Sequence, residues 1–187
     1  MSHGASPLAA FHRVGDRSRL PAAAAATGTL RPALFAAYHD LSRLRTLFLA
    51  GERCDPDTLL WAQAVLGVPV IDHWWQTETG WPIAANCVGL GMLPVKPGSP
   101  AKAVPGFDVS VVDDDGQDTP VGKVGNVVIR MPLPPGCLPT LWNNDEGFVA
   151  SYLSRFPGYY TTSDAGFVDA DGYILTKSGL SGMATMT

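Results

Sequence analysis

Seven consecutive residues concentrate the chemistry of this sequence: WWQTETG, Trp74 to Gly80. Adjacent indoles supply large flat walls against which a base or an acyl chain can pack. A Thr hydroxyl donates to phosphate oxygens. A Glu carboxylate suits Mg²⁺, which takes oxygen ligands and commonly bridges to phosphates. A bland alternative stands beside this one: a double Trp is equally a core pair, and Thr-Glu-Thr is equally helix-capping chemistry. Two further segments carry polar groups of the same kind. AGERCD (Ala50 to Asp55) lies upstream, and TTSDAG (Thr161 to Gly166) holds Asp164 in what also reads as ordinary turn chemistry.

Elements able to position these segments are visible in the pattern. RLRTLFLAG (Arg43 to Gly51) is a short apolar run closed by Gly, expected to be a buried strand. TLLWAQAVLG (Thr58 to Gly67) follows Asp55-Pro56-Asp57 and reads as a helix, with Leu59, Leu60, Ala64 and Val65 at helical spacing and Gly67 as the stop. VPVIDHWW (Val68 to Trp75) is a second apolar run. Strand, helix, strand is a βαβ unit, and such units bind ligands at the C-terminal ends of their strands. Both AGER and WWQTETG fall there. Further along, GSPAKAVPGF (98–107) reads as loop, and FDVSVVDDDGQ (107–117) as a strand entering a turn. GKVGNVVIRMP (122–132) is another strand, and GYYTTSDAGFVDADGYIL (158–175) holds two more around Asp169, Asp171 and Gly172. The fold class is therefore α/β, a βαβ sheet segment (39–95) followed by an antiparallel β subdomain (96–174). Residues 1–38, with the tract PAAAAATG, read as a low-complexity, poorly ordered terminus; a transit peptide is the alternative. Residues 175–187 are small and polar and are expected to form no packed element.

Composition narrows the function. The 187 residues carry 13 Lys and Arg against 17 Asp and Glu, a net charge of −4, which argues against a nucleic-acid partner. A 46% hydrophobic share with 16% charged residues supports a buried core, and no apolar run approaches the roughly 18 residues of a membrane span. The cysteines Cys54, Cys87 and Cys137 are too few and too dispersed for a disulfide framework or a zinc set, which favours a reducing compartment. Asp113 to Asp115, and Asp169 with Asp171, lack calcium-loop spacing and read as solvated hairpin turns.

Taken together, AGERCD, DHWWQTETG, PLPPGCLPTLW and FPGYYTTSDAGFVDADGYI resemble the AMP-forming acyl-CoA synthetases of the adenylate-forming superfamily, in particular the acetyl/propionyl-CoA synthetase type. The resemblance runs from about His39 to Ile174 and implies a partial adenylate-forming N-terminal domain. It implies that Gly51, Glu52 and Arg53 line the adenine, with Arg53 standing where many members have Pro. It places Asp72, His73 and Trp74 beside the adenine, and Trp75 as the indole closing the acyl pocket. Thr77 is implied as the hydroxyl on the α-phosphate, Glu78 as the Mg²⁺-associated carboxylate, and Asp164 as the acid on the ribose hydroxyls. Ser163 occupies the position where the family has Gly. The implied reaction joins acetate or propionate to CoA at the expense of ATP, through an acyl-adenylate. Its co-substrates are ATP with Mg²⁺ and CoA, and its setting the cytoplasm or, alternatively, the mitochondrial matrix. Two family parts find no match in the sequence: the Ser/Thr/Gly-rich phosphate loop, and the small domain carrying a catalytic Lys, a role Lys177 does not take. The expectation is a partial chain, inactive alone. A non-catalytic interaction module on the same fold is the alternative, and a sugar-binding platform of Trp74, Trp75 and Trp81 a remoter one.

Overall fold

The computed structural model describes residues 39–51 and 54–177. The reading of residues 1–38, and the side chains of Glu52 and Arg53, lie outside the described residues. Two compact units emerge: 39–47 with 57–70, and 48–51 with 54–56 and 71–177.

Strand β1 (Leu47–Leu49) precedes helix α1 (Pro56–Leu66), which precedes β2 (Val70–Trp74), so the strand–helix–strand order is present. Pro56 opens the helix, where its missing N–H costs nothing, and Gly67 closes it at φ 66°. Leu59 is fully buried, whereas Leu60 and Ala64, about 100° and about 140° around the helix from it, are exposed. β1 is shorter and less buried than its apolar run suggests: Phe48 is 55% exposed. Val70, Ile71 and Asp72 of β2 are all buried.

The first sheet has the order β1-β2-β3-β4. β3 (Ala84–Ala85) pairs antiparallel with β2 (His73 opposite Ala85) and with β4 (Lys102–Ala103). The stretch read as loop thus contributes β4, two residues too short for any periodicity to announce.

The second sheet is the expected antiparallel one, β5 (Val109–Val112), β6 (Gly125–Arg130), β7 (Tyr159–Val168) and β8 (Ile174–Lys177) in that order. A register shift between Asn126 and Val128 interrupts the β6–β7 ladder. Leu175, Thr176 and Lys177, placed in the patternless tail by the sequence, pair with Phe167, Gly166 and Ala165 of β7. Residues 178–187 lie outside the described residues. Trp74, Ile83, Val111, Val127, Ile129 and Tyr160 form the main apolar core of the larger unit.

The acidic turns do more than face water. Asp113 Oδ1 accepts from the amides of Asp115 and Gln117, closing the β5 turn. Asp169 Oδ1 likewise accepts from Asp171 and Tyr173, while Lys96 Nζ reaches Asp169 at 2.5 Å and Asp171 at 2.7 Å and sits 4.2 Å from the Tyr173 ring centre. The Lys96 hydrogen bond holds the Asp169 carboxyl below its ordinary value of 3.8. Its contribution to stability is therefore present above that value and lost as pH falls through the lower folded-state value.

Thr161 on β7 is 5% exposed, and among the described residues its Oγ1 has no hydrogen-bond partner. A buried hydroxyl without a partner costs about 1–3 kcal/mol. Thr161→Val, which swaps that hydroxyl for a methyl of similar size, is expected to raise stability by about 1 kcal/mol, a rise of about 2–4 °C in a thermal melt. An unchanged or lower melting temperature would show that the hydroxyl is satisfied in solution.

Candidate functional site

The WWQTETG segment leaves β2 at Trp74 and turns through a short 3-10 helix, Thr77–Thr79. Thr79 Oγ1 accepts the Gln76 amide at 3.2 Å and lies 2.9 Å from the carbonyls of Gln76 and Trp81, so it closes the turn internally. Of the two threonines, the capping chemistry thus belongs to Thr79, which leaves Thr77 exposed. Gly80 takes φ 62°, and a Cβ there would sit 3.0 Å from the Gly136 carbonyl oxygen. The Leu138 amide donates to the Glu78 carbonyl at 2.6 Å, so the PLPPGCLPTLW loop braces this turn.

Asp164, on β7, meets that turn. Its Oδ2 accepts from Trp74 Nε1 at 3.0 Å and from Gln76 Nε2 at 3.0 Å. Gln76 Nε2 also donates to the Thr162 carbonyl at 2.6 Å, and Gln76 Oε1 accepts from the Tyr160 hydroxyl at 3.1 Å. Thr162 Oγ1 donates to the Val127 carbonyl and accepts the Asp164 amide, fixing the strand under the carboxylate. Among the described residues, Asp164 Oδ1 accepts no hydrogen bond. A carboxylate offers about four lone-pair sites, so the two on Oδ1 remain for a ligand. Burial pushes the Asp164 carboxyl above 3.8, although the Trp74 and Gln76 hydrogen bonds pull the other way.

Glu78 joins the same network from the other end. Its Oε1 accepts from the Tyr152 hydroxyl at 2.7 Å, and the Tyr152 ring stacks on Tyr160 with centroids 5.3 Å apart and planes 5° apart. The hydrogen bond to Glu78 raises the Tyr152 phenol above 10.0, and burial raises Tyr160 further. Glu78 Oε2 has no hydrogen-bond partner among the described residues.

Asp72 and His73 hold the AGERCD loop on both sides of residues 52 and 53. Asp72 is 3% exposed; its Oδ2 accepts the Cys54 amide at 2.9 Å and its Oδ1 the His73 amide at 3.0 Å. His73 Nδ1 donates to the Leu49 carbonyl at 3.0 Å, and the His73 ring lies 5.2 Å from that of Phe48. Gly51 is exposed at φ 110°, a backbone state that favours glycine, with open space where a Cβ would be. Trp74 is buried in the core, while Trp75 and Trp81 are 47% and 66% exposed, so the three indoles do not form one sugar-binding platform.

The structure therefore brings Trp74, Gln76 and Asp164 into one hydrogen-bonded set, which Glu78 meets through the Tyr152–Tyr160 ring stack, with Asp72 and His73 on the strand that leads into the turn and Gly51 in the loop after β1. Gln76, Tyr152 and Tyr160 went unassigned in the sequence. Gln76 lay within the motif, and Tyr152 follows Phe148 by four residues, a helical spacing that could have flagged a packed ring.

The AMP-binding enzyme family matches residues 10–135. This chain belongs to that family. The match reaches upstream of His39, where the motif resemblance begins, and ends before Asp164. Acyl-CoA synthetase short-chain family member 3, mitochondrial, of Homo sapiens is 51% identical over 141 residues, 75% of this chain and 21% of the relative. The Mus musculus protein of the same name is 50% identical over 141 residues with the same coverage, 75% and 21%. Propionate–CoA ligase of Escherichia coli (strain K12) is 46% identical over 137 residues, 72% of this chain and 22% of the relative. The chain thus spans about a fifth of the length of these relatives. Among the described residues no helix is long and apolar enough to cross a membrane, and no group of three or more His, Cys, Asp or Glu could hold a metal ion.

Proposed function

We propose that this chain supplies part of the nucleotide and acyl site of an AMP-forming short-chain acyl-CoA synthetase acting on propionate or acetate. The observation that carries the reading is the Asp164 carboxylate, held by Trp74 Nε1 and Gln76 Nε2 with Oδ1 left open. In this reading Oδ1 accepts the ribose hydroxyls. The Gly51 backbone, with Glu52 and Arg53 beside it, lines the adenine. Asp72 and His73 contribute by holding that loop, since both Asp72 oxygens are already engaged. The exposed Thr77 hydroxyl donates to the α-phosphate.

Glu78, with Oε2 open, fits a Mg²⁺ that takes one carboxylate oxygen and completes its shell from phosphates and water. When bound, the ion would neutralise charge on the phosphates as pyrophosphate departs. The chain's own residues position the nucleotide, the main requirement of a reaction dominated by orientation and charge stabilisation. CoA enters from the family alone. The setting is the cytoplasm or the mitochondrial matrix; the names of the Homo sapiens and Mus musculus relatives support the second.

Trp75 is the specificity element in this reading. Titration of the 187-residue chain with non-hydrolysable acyl-adenylate analogues tests it. Propionyl-adenylate is expected to bind tighter than the octanoyl analogue, and Trp75→Gly to improve octanoyl binding by about 10–100-fold, since pocket discrimination runs at about 1–3 kcal/mol. Equal affinity for both analogues, unchanged in Trp75→Gly, would refute the acyl assignment. The 187-residue polypeptide alone, a fifth of its relatives' length, is expected to form no acyl-CoA from propionate, ATP and CoA. Robust CoA-dependent turnover would contradict that.

A further inference from the structure

We propose that Tyr152 is a positioning residue that presets the Glu78 carboxylate for a phosphate-bound metal ion, an inference that rests on the reading of Glu78 given above. Glu78 sits in a three-residue turn and is only half-buried, so its three side-chain torsions have little packing to restrain them. The restraint comes from α2 (Asp145–Tyr152), a helix 74 residues further along whose last residue places its hydroxyl 2.7 Å from Glu78 Oε1.

Tyr152 is itself held between two rings on a capped helix. Its ring stacks on Tyr160 at 5.3 Å and lies 5.2 Å from Phe148, which is buried one helical turn earlier. The N-terminus of α2 is capped by Asn144, whose side chain accepts the Gly147 amide at 3.0 Å, and Thr140 Oγ1 donates to Asp145 at 2.5 Å. The hydroxyl is thus a fixed donor that occupies one carboxylate oxygen and aims the other. Without it, Glu78 must be ordered at the moment of binding, and freezing a Glu side chain costs enough rotamer freedom to weaken a complex about ten-fold. The Tyr160 hydroxyl continues the connection to Gln76 Oε1 and so to Asp164.

The test is calorimetric titration of ATP into the 187-residue chain, once with Mn²⁺ as a Mg²⁺ surrogate and once with EDTA. In the unsubstituted chain Mn²⁺ is expected to tighten ATP binding. Tyr152→Phe keeps the ring stack and removes only the donor; near-UV circular dichroism checks that the fold is retained. It is expected to reduce the Mn²⁺-dependent gain about 5–10-fold while leaving affinity in EDTA within about two-fold. In a Glu78→Gln background, Tyr152→Phe is expected to add nothing. Equal losses with and without the metal, additivity with Glu78→Gln, or no loss at all would overturn the Tyr152 role and leave the Glu78 reading standing. No Mn²⁺-dependent gain in the unsubstituted chain would overturn both.

Discussion

Asp164→Ala is expected to lower the unfolding free energy by about 1–3 kcal/mol and to weaken nucleotide binding at least ten-fold. Asp164 Oδ2 is the acceptor for Trp74 Nε1 and for Gln76 Nε2, and removing it leaves donors unpaired in a largely buried region. Asp164→Asn separates the two effects. Its side-chain oxygen still accepts, so the fold is retained, but the ligand loses charge-assisted hydrogen bonds of about 1.5–3 kcal/mol and keeps neutral ones of about 0.5–1.5. Affinity is expected to fall about ten-fold without loss of melting temperature. The pH dependence has a definite sign. Burial raises the Asp164 carboxyl above 3.8, so between that value and the raised one the folded chain binds more protons than the unfolded. This group's contribution to stability therefore declines as pH rises through that window, and the deficit persists above it. Asp164→Asn lacks this titration. Denaturant melts of the two proteins are expected to diverge in favour of Asp164→Asn as pH rises from below 3.8 toward neutrality; a difference that stays constant with pH would contradict the raised carboxyl.

Gln76→Ala is expected to be more damaging to the fold than any other substitution in the motif turn. One amide side chain serves three partners: it donates to Asp164 and to the Thr162 carbonyl and accepts from the Tyr160 hydroxyl. Tyr160 is 0% exposed, so water has no direct route to its orphaned hydroxyl. Two stranded polar groups at about 1–2 kcal/mol each give a loss of about 2–4 kcal/mol, or about 5–15 °C in melting temperature for a chain of this length. Pairing the change with Tyr160→Phe is expected to recover part of it, because the stranded hydroxyl is then gone. Two effects that simply add would mean that Tyr160 and Gln76 do not bond in solution.

The parts of the fold set by local pattern were legible in the residues. Val109 to Val112 lies in the alternating stretch FDVSVV and runs into the Asp115-Gly116 turn where expected, and Gly125 to Arg130 carries a continuous apolar run, Val127 to Ile129, that is buried throughout. Helix α1 announced itself by Pro56 and Gly67. Helix α2 did not, because eight residues with Gly147 inside carry a weak periodic signal, despite Asn144, Asp145 and Glu146 at its start. Two-residue strands such as Ala84–Ala85 lie below any periodicity. For the site, motif resemblance singled out Thr77, Glu78 and Asp164 as candidates. It could not locate the polar scaffold, because the Gln76–Asp164, Gln76–Tyr160 and Glu78–Tyr152 hydrogen bonds link residues 88, 84 and 74 positions apart. Such pairings are decided by how sheet β5-β6-β7-β8 packs against the turn after β2, which no local rule encodes.

The indole N–H of Trp74 reports directly on whether the two motifs share one ligand. A ¹H–¹⁵N titration of the chain with ATP is expected to shift the Trp74 Nε1–H, the Gln76 side-chain amide and the Asp164 backbone amide together along one binding curve, and Asp164→Asn to move that curve about ten-fold to weaker binding. ATP-induced shifts confined to other residues, with the Trp74 indole and Gln76 amide unmoved at saturation, would contradict a nucleotide site built on Asp164.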